Sequence, residues 1–260
     1  MSQTSYDLNM AAGVAGMKVD MRPDRVESFA AEGSIDFGKF CSPGTNASKQ
    51  VKQATTGITS VKGISLFSHG QEQAISMSAN NGALTTGAKY LNTDAVNVMR
   101  QGMVYMDNKL LACVDGDTAW CDLFSSTDKG SVTPVPNVNV LVFSADFVDS
   151  NTINLKLNTG SIAQVTYATS HAATFAALVT AIENKIKASI STRYSVTGNA
   201  TTRTITIMSN VDITVTDVAV AAGASQATCT VTETNNVNSG GVIRSAAAVG
   251  AVAAVEINLP

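Results

Sequence analysis

The stretch "AVAAVEINLP", residues 251–260, decides how we expect the chain to be arranged. Val255, Ile257 and Leu259 fall on one face of a strand, because side chains alternate between the two faces at every residue. A lone strand leaves its backbone N–H and C=O groups unpaired unless it joins a sheet. We therefore expect this strand to pair back into the β-rich first half of the chain, which makes the region between them an insertion.

Two linker-like stretches bound that region. "GSVTPVPNVNV", residues 130–140, has two closely spaced prolines, and "TNNVNSGG", residues 234–241, is rich in Asn and Gly. Between them "TINLKLN" and "SIAQVTY" alternate around an "NTG" turn, which predicts a hairpin. We assign residues 138–237 to an inserted α+β domain with the order β-β-α-β-β-β.

One helix is predicted within this insertion. The run "TSHAATFAALVTAIENKIKASI" changes to a helical period, and Thr169 or Ser170 can cap its start by accepting a free backbone N–H. The strands after it carry Thr on one face, which suits a half-solvated pleated surface. The apolar helical face consists of Phe175, Leu178, Val179, Ile182 and Ile186.

The first half of the chain reads as many short strands. "SIDFGKFC", "VKGISLFS" and "TAWCDLF" are separated by Gly, Asn, Asp and Ser, a pattern typical of barrels and sandwiches. We expect residues 1–30 to be an extended N-terminal arm and residues 69–93 a long loop. Residues 31–137 plus 238–260 then form a β-barrel or sandwich-like domain completed by the C-terminal strand, and the fold class is mainly β.

The composition argues against two classes of partner. The net charge is −3 and only 14% of residues are charged, against about 25% in an average domain. Nucleic-acid binding requires clustered Lys and Arg to neutralise phosphates, so we expect no nucleic-acid partner. No apolar run approaches the roughly 20 residues of a membrane helix, and the first residues lack the features of a signal peptide. We expect a soluble, unsecreted protein with no membrane partner.

No motif predicts catalysis, a metal or a cofactor. The two histidines, His69 and His171, lack the partners of a catalytic triad, and both are expected to be structural or at the surface. "DGD", residues 115–117, lacks the rest of a calcium loop and is read as a turn. The four cysteines form no CxxC pair, so we interpret them as buried free thiols in a reducing cytoplasm. The sequence therefore predicts no enzyme.

The stretch "RPDRVESFAAEGSIDFGKF", residues 22–40, holds the densest group of charges before a strand-like alternation. Arg22, Arg25 and Glu27 could bind an anionic substrate. They could equally make a fixed ionic contact with another protein, or form a solvated loop in which surface ion pairs contribute little.

Three short motifs follow one another around this stretch. They are "G-M-x-x-D" at Gly16, Met17 and Asp20, "I-x-F-G" at Ile35, Phe37 and Gly38, and "P-G-T" at Pro43, Gly44 and Thr45. No single motif is specific, but in this order they resemble the start of structural cement, or capsid-decoration, proteins of tailed bacteriophages. The similarity covers about residues 11–135 and 240–260, whereas the insertion departs from the plain family pattern and resembles helix-containing β modules of phage virion proteins.

The resemblance implies a non-enzymatic protein of the virion. Members of this family bind the outer face of an assembled capsid, often as trimers where capsomers meet. It implies the major capsid protein and further copies of this chain as partners, and the outer capsid surface as the location after synthesis in the host cytoplasm. The residues it suggests for contact are Arg22, Arg25 and Glu27 as oriented polar groups, with Met17 and Phe29 as apolar ones.

A second hypothesis is a receptor- or glycan-binding virion module carried by the insertion. Its Thr- and Asn-rich β surfaces suit sugars, but glycan sites usually present exposed aromatic rings. The aromatic residues available there occupy core-like positions, which favours the structural reading. These are Phe143, Phe147, Tyr167, Phe175 and Tyr194.

Overall fold

The computed structural model of the protein describes residues 13–20, 22–67, 89–158, 160–162, 164–191, 193–223 and 226–259. The predicted mainly β class is confirmed, with 46% strand and 9% helix. In the first half the strands are β1 (Arg25–Ala31), β2 (Ile35–Asp36), β3 (Phe40–Pro43), β4 (Gln50–Gln53), β5 (Gly63–Ser65), β6 (Lys89–Tyr90), β7 (Ala95–Asp107), β8 (Thr118–Cys121) and β9 (Val132–Thr133). The later elements are β10 (Asn137–Phe143), β11 (Thr152–Leu157), β12 (Gly160–Ser161), β13 (Val165–Thr166), α1 (His171–Ser189), β14 (Tyr194–Asn199), β15 (Thr204–Ser209), β16 (Val215–Ala221), β17 (Cys229–Asn235), β18 (Val237–Ile243) and β19 (Val252–Asn258).

Five of these strands close a β-barrel. The hydrogen-bonded order is β1–β4–β3–β5–β7, and β7 pairs back with β1 from Arg25↔Gln101 to Ala30↔Ala95. All of these pairings are antiparallel except β1 with β4. Because the pairings form a closed ring, each of the five strands has a partner on both sides. Closure is one way in which β folds avoid exposed strand edges. The predicted barrel is therefore present.

β7 belongs to two parts of the sheet, because it is long and changes partners near its middle. Its first half pairs with β1 and β5, and its second half pairs with β19 from Val252↔Asp107 to Asn258↔Gln101. Gly102 lies at the change with φ +133, a conformation that side-chain-bearing residues rarely adopt. The sheet continues outward through β18, β8 and β9. The C-terminal strand thus completes the first β domain, as the sequence predicts.

The region between β9 and β18 has its own hydrophobic core. A four-stranded sheet in the order β14–β15–β10–β17 faces α1 and a second sheet in which β12, β13 and β16 pair with β11. Ser170 caps α1 by accepting from the backbone N–H of Ala173. The helix buries Phe175 and Leu178 against this core, together with Ile182 and Ile186.

Several expectations differ from the structure. The stretch 234–241, which looks like a linker, holds the end of β17 and most of β18. Among the described residues, β10 to β13 precede α1 and β14 to β17 follow it, so the order of the insertion is not the predicted β-β-α-β-β-β. β1 begins at Arg25 and is paired with β7 along its length, so residues 25–30 belong to the barrel and not to an arm. Asn137 and the residues after it form β10, although residues 130–140 look like a linker; Pro134 and Pro136 separate β9 from β10, and the alternation resumes after them. Residues 1–12, Met21 and residues 68–88 lie outside the described residues. They include His69, part of the predicted arm and most of the predicted loop.

No helix in the described part of the chain is long and apolar enough to cross a membrane.

Candidate interaction surface

The segment of residues 13–20 lies along the second half of β7 like an added strand. The backbone N–H of Val19 donates to the carbonyl of Met103 (3.0 Å), and that of Tyr105 donates to the carbonyl of Met17 (2.9 Å). Gly16, at φ +88, leaves no room for a side chain, because an added Cβ would lie 2.8 Å from the backbone nitrogen of Phe67. The segment is therefore held against the barrel by its backbone.

The side chains of this segment leave apolar area in solvent. Val14 and Met17 are each 41% exposed, and Val26, at the start of β1, is 36% exposed. These are three of the few large hydrophobic side chains that the described residues expose. Because the backbone beneath them is fixed, this apolar area needs little ordering to meet a partner.

Charged side chains are paired beside these apolar ones. Arg22 is paired with Asp20, contacts the sulfur of Met103 and lies 3.9 Å from the carboxylate of Glu256. The hydrogen bond and charge of Asp20 hold the pKa of Arg22 above its ordinary value. The guanidinium remains mostly exposed, so it is oriented and still available to a partner.

Glu27 joins two arginines, Arg25 on its own strand β1 and Arg100 on β7. Its carboxylate lies 2.5 Å from the guanidinium of Arg25 and 3.1 Å from that of Arg100, which is on β7. Partial burial raises the pKa of Glu27, but the hydrogen bonds from Arg100 and Arg25 outweigh it and leave the pKa below its ordinary value. Glu27 is consequently ionised at neutral pH and fixes the direction of Arg25.

Phe29 does not fit the role of an exposed apolar contact. Its ring is only 8% exposed and packs in the barrel core with residues such as Val96 and Val98. The ammonium of Lys62 lies 5.0 Å from the ring centroid and covers it further. The alternation of β1 explains this, because Phe29 and Ala31 share the inward face.

The structure thus places four of the five suggested contact residues near the surface and one in the core. Met17, Arg22, Arg25 and Glu27 lie along the side of β7 that carries residues 13–20 and β1, whereas Phe29 is part of the core. Arg100 is the residue of this surface that sequence reasoning missed. It is 73 residues from Glu27, and no local pattern indicates the contact.

His171 and Asp117, two of the residues considered for chemistry, have structural partners. Nδ1 of His171 accepts from the backbone N–H of Phe147 (2.9 Å), and Nε2 lies 3.1 Å from the carbonyl of Ala200. Asp117 of the "DGD" turn binds Arg193. The thiols are all free, and burial raises the pKa of Cys41 to about 12 and that of Cys229 to about 11, which makes both poor nucleophiles at neutral pH. Among the described residues no group of acidic, His and Cys side chains is arranged to hold a metal ion.

A family model described as "structural cement protein (E217 gp24/Pam3 gp6)" matches residues 2–258, nearly the whole chain. No curated protein matches the sequence.

Proposed function

Because the chain belongs to the phage structural cement protein family, whose members are virion proteins that stabilise the capsid, we propose that it binds the outer capsid surface at contacts between capsomers. Its partner there is the major capsid protein. The protein acts without catalysis, by adding contacts to a shell that is already assembled. It reaches the virion after synthesis in the host cytoplasm.

The observation that carries this proposal is the surface formed by Val14, Met17, Arg22, Arg25 and Val26, which we call the N-terminal surface. Its apolar side chains are exposed, its backbone is hydrogen-bonded to β7, and its guanidinium groups are oriented by acidic neighbours. Protein interfaces combine apolar contacts with oriented polar groups, and arginine is enriched in them. The arrangement supports protein binding better than the alternative of an anionic substrate, since both arginines are already paired with carboxylates.

Reinforcement follows from binding across capsomers. A ligand that binds an assembled state and not its separated parts stabilises that state by RT ln(1 + [L]/Kd). A site shared by two capsomers exists only while they are in contact. Occupation of the N-terminal surface by such a site therefore opposes separation of the shell.

We propose that the protein acts as a homotrimer. Three copies joined on one threefold axis present three N-terminal surfaces at once, and linked binding events gain affinity through the raised effective concentration. The low charged fraction of 14% supports contact with further protein, because few charges would have to be desolvated.

The test is binding of the purified protein to capsids stripped of it. Met17→Asp and Arg25→Glu should each lower the affinity about tenfold or more, because a charge is placed in the contact or reversed there. Val211→Asp is the matched control for Met17→Asp, since both side chains are 41% exposed, and Arg203→Glu is the control for Arg25→Glu. If all four variants bound the capsid as tightly as the wild type, the N-terminal surface would be excluded as the contact with the capsid. The mass of the free protein tests the trimer, which requires three times the 26.9 kDa of one chain.

A further inference from the structure

A cavity of about 360 Å³ opens at the seam between the barrel sheet and the insertion. Its walls come from three separate segments, which are the start of β8 with the turn before it, the connection from β9 to β10, and the residues that follow β15. The volume lies at the lower end of the range for small-ligand sites, so the cavity fits a single side chain or a molecule of similar size. The residues that give the cavity its chemistry are Asp117, Trp120, Pro134, Pro136, Asn210 and Asp212.

Trp120 lies on the outer face of β8. Its neighbours Ala119 and Cys121 point into the barrel core, so the alternation of the strand turns Trp120 to the opposite side. It is half-buried there and is the only tryptophan of the chain. Within the described part of the chain no cation and no other aromatic ring stacks on it. The indole therefore gives the cavity an aromatic wall that no described residue uses.

Arg193 holds the polar part of the cavity in place. Its guanidinium binds both carboxylate oxygens of Asp117. The backbone N–H of Asn210 donates to the carbonyl of Arg193 (3.3 Å), and the side-chain amide of Asn210 lies within hydrogen-bonding distance of the guanidinium. These contacts tie the turn before β8 to the residues after β15, so the walls are fixed before a ligand enters and little ordering is needed on binding.

Asp212 leaves the cavity with a negative charge. The charge of Asp117 is balanced by Arg193, which binds it by two hydrogen bonds. Asp212 is exposed, and none of the residues that the structure describes forms a hydrogen bond or an ion pair with it. No basic side chain lines the cavity. A cationic ligand is therefore favoured over an acidic one.

An aromatic wall beside an unpaired carboxylate is the chemistry that recognises a guanidinium group. A planar guanidinium stacks on an indole face while its N–H groups bind a carboxylate, and tryptophan is the aromatic residue that attracts cations most strongly. The rings of Pro134 and Pro136 offer apolar walls to the methylene stem of an arginine side chain. A lysine ammonium is a compact, strongly hydrated charge and gains less from stacking. A sugar ring also stacks on an indole, but it brings no charge to balance Asp212.

We propose that this cavity binds the guanidinium group of an arginine side chain supplied by a partner protein. The site uses none of the residues of the N-terminal surface, so it goes beyond the capsid contact proposed above. Because Asp212 is exposed, a single arginine binds weakly. The cavity therefore acts as one anchor within a larger contact.

The test follows the tryptophan fluorescence of the full chain. Trp120 is the only tryptophan, so the indole emission reports directly on the cavity. The probe is N-acetyl-arginine methylamide, titrated at constant ionic strength. N-acetyl-citrulline methylamide is the matched control ligand, because its side chain has nearly the same shape and no charge. Methyl glucoside tests a sugar in place of the cation.

Three variants separate the charge of the cavity from its aromatic wall. Asp212→Asn removes the charge and keeps the shape of an exposed side chain. Asp146→Asn is the matched control, because Asp146 is an exposed carboxylate of the insertion that does not line the cavity. Trp120→Leu removes the indole, so its binding is measured by isothermal titration calorimetry, with thermal unfolding as the check that the variant is folded.

We expect the arginine probe to cause a saturable fluorescence change in the wild type and in Asp146→Asn. Exchange of the probe for the citrulline compound, or of Asp212 for Asn, should weaken binding about fivefold, and Trp120→Leu should lose the heat of binding. No saturable change with the arginine probe, or equal affinity in the wild type and Asp212→Asn, would overturn the proposal. A saturable response to methyl glucoside without one to the arginine probe would make the cavity a sugar site and equally overturn it. Every measurement uses the free protein, so the result is independent of capsid binding.

Discussion

Arg193 holds Asp117 by two hydrogen bonds, one to each carboxylate oxygen. Nη1 lies 2.5 Å from Oδ2, and Nη2 contacts Oδ1. Asp117 immediately precedes β8 of the barrel sheet, and Arg193 immediately precedes β14 of the insertion. The pair therefore ties the two hydrophobic cores together with a bidentate contact, the strongest geometry available to these side chains.

Loss of this pair should loosen the insertion on the barrel. Asp117→Ala leaves the partly buried Arg193 without its partner and should lower the free energy of unfolding by about 1–3 kcal/mol. Breaking a fully buried pair costs about 3–5 kcal/mol, and we expect less here because Arg193 is 30% exposed. Calorimetry should show two unfolding transitions that lie further apart than in the wild type. Asp146→Ala is the control, because Asp146 is 62% exposed beside Arg203 and should change stability by less than about 0.5 kcal/mol. Equal effects of the two substitutions would contradict the role of the pair.

Stability at acidic pH should depend on Glu27. Its pKa is lower in the folded state than its ordinary value of 4.5, so the unfolded chain binds the proton more readily. The stabilisation is present at neutral pH and is lost as the pH falls from about 4.5 through the folded pKa. Glu27→Gln should lower the free energy of unfolding by about 1 kcal/mol at pH 7, and the difference from wild type should shrink as the pH is lowered below 4.5. Denaturant titrations over a series of pH values from 7 downward measure this difference, and a difference that does not change with pH would refute the prediction.

The C-terminal strand should contribute strongly to the stability of the barrel sheet. Ile257 is 1% exposed, so Ile257→Ala should cost about 2–5 kcal/mol from lost burial and the cavity it leaves. Val249→Ala removes a side chain that is 55% exposed and should cost less than about 0.5 kcal/mol. Hydrogen exchange should locate the loss in β7 and β18, the two partners of β19. Loss of protection confined to the insertion would be inconsistent with this pairing.

The insertion should fold on its own. Asn137 and Asn235 are paired at its two ends, and its core is formed by its own residues. Residues 137–235 as a separate chain should give a cooperative thermal transition, and replacement of residues 138–234 by a short Gly/Ser turn should leave the barrel folded. Circular dichroism and hydrogen exchange test both expectations. An unfolded barrel after the replacement would show that the two parts depend on each other.

Prediction from sequence succeeded where a repeating pattern was long enough to be unambiguous. The helical period from Phe175 to Ile186 located α1, and the alternation from Val255 to Leu259 located β19. The sequence pattern predicts Phe29 as an apolar contact on an arm, whereas it lies in the barrel core. The inward face of a strand is known only once its neighbours are. Contacts such as Arg100 with Glu27 had no signal at all, since the residues are distant in sequence.

The sequence by itself determined the period of each element, the absence of a recognisable catalytic motif and the likeness to cement proteins, because each of these is written in local residue order. Only the tertiary structure decided that β1 closes the barrel on β7, that Arg193 meets Asp117, and that Trp120 and Asp212 line one cavity. The physical reason is that strand register and long-range ion pairs depend on which segments meet. Many pairings satisfy the same alternation, and packing of the whole core selects one of them.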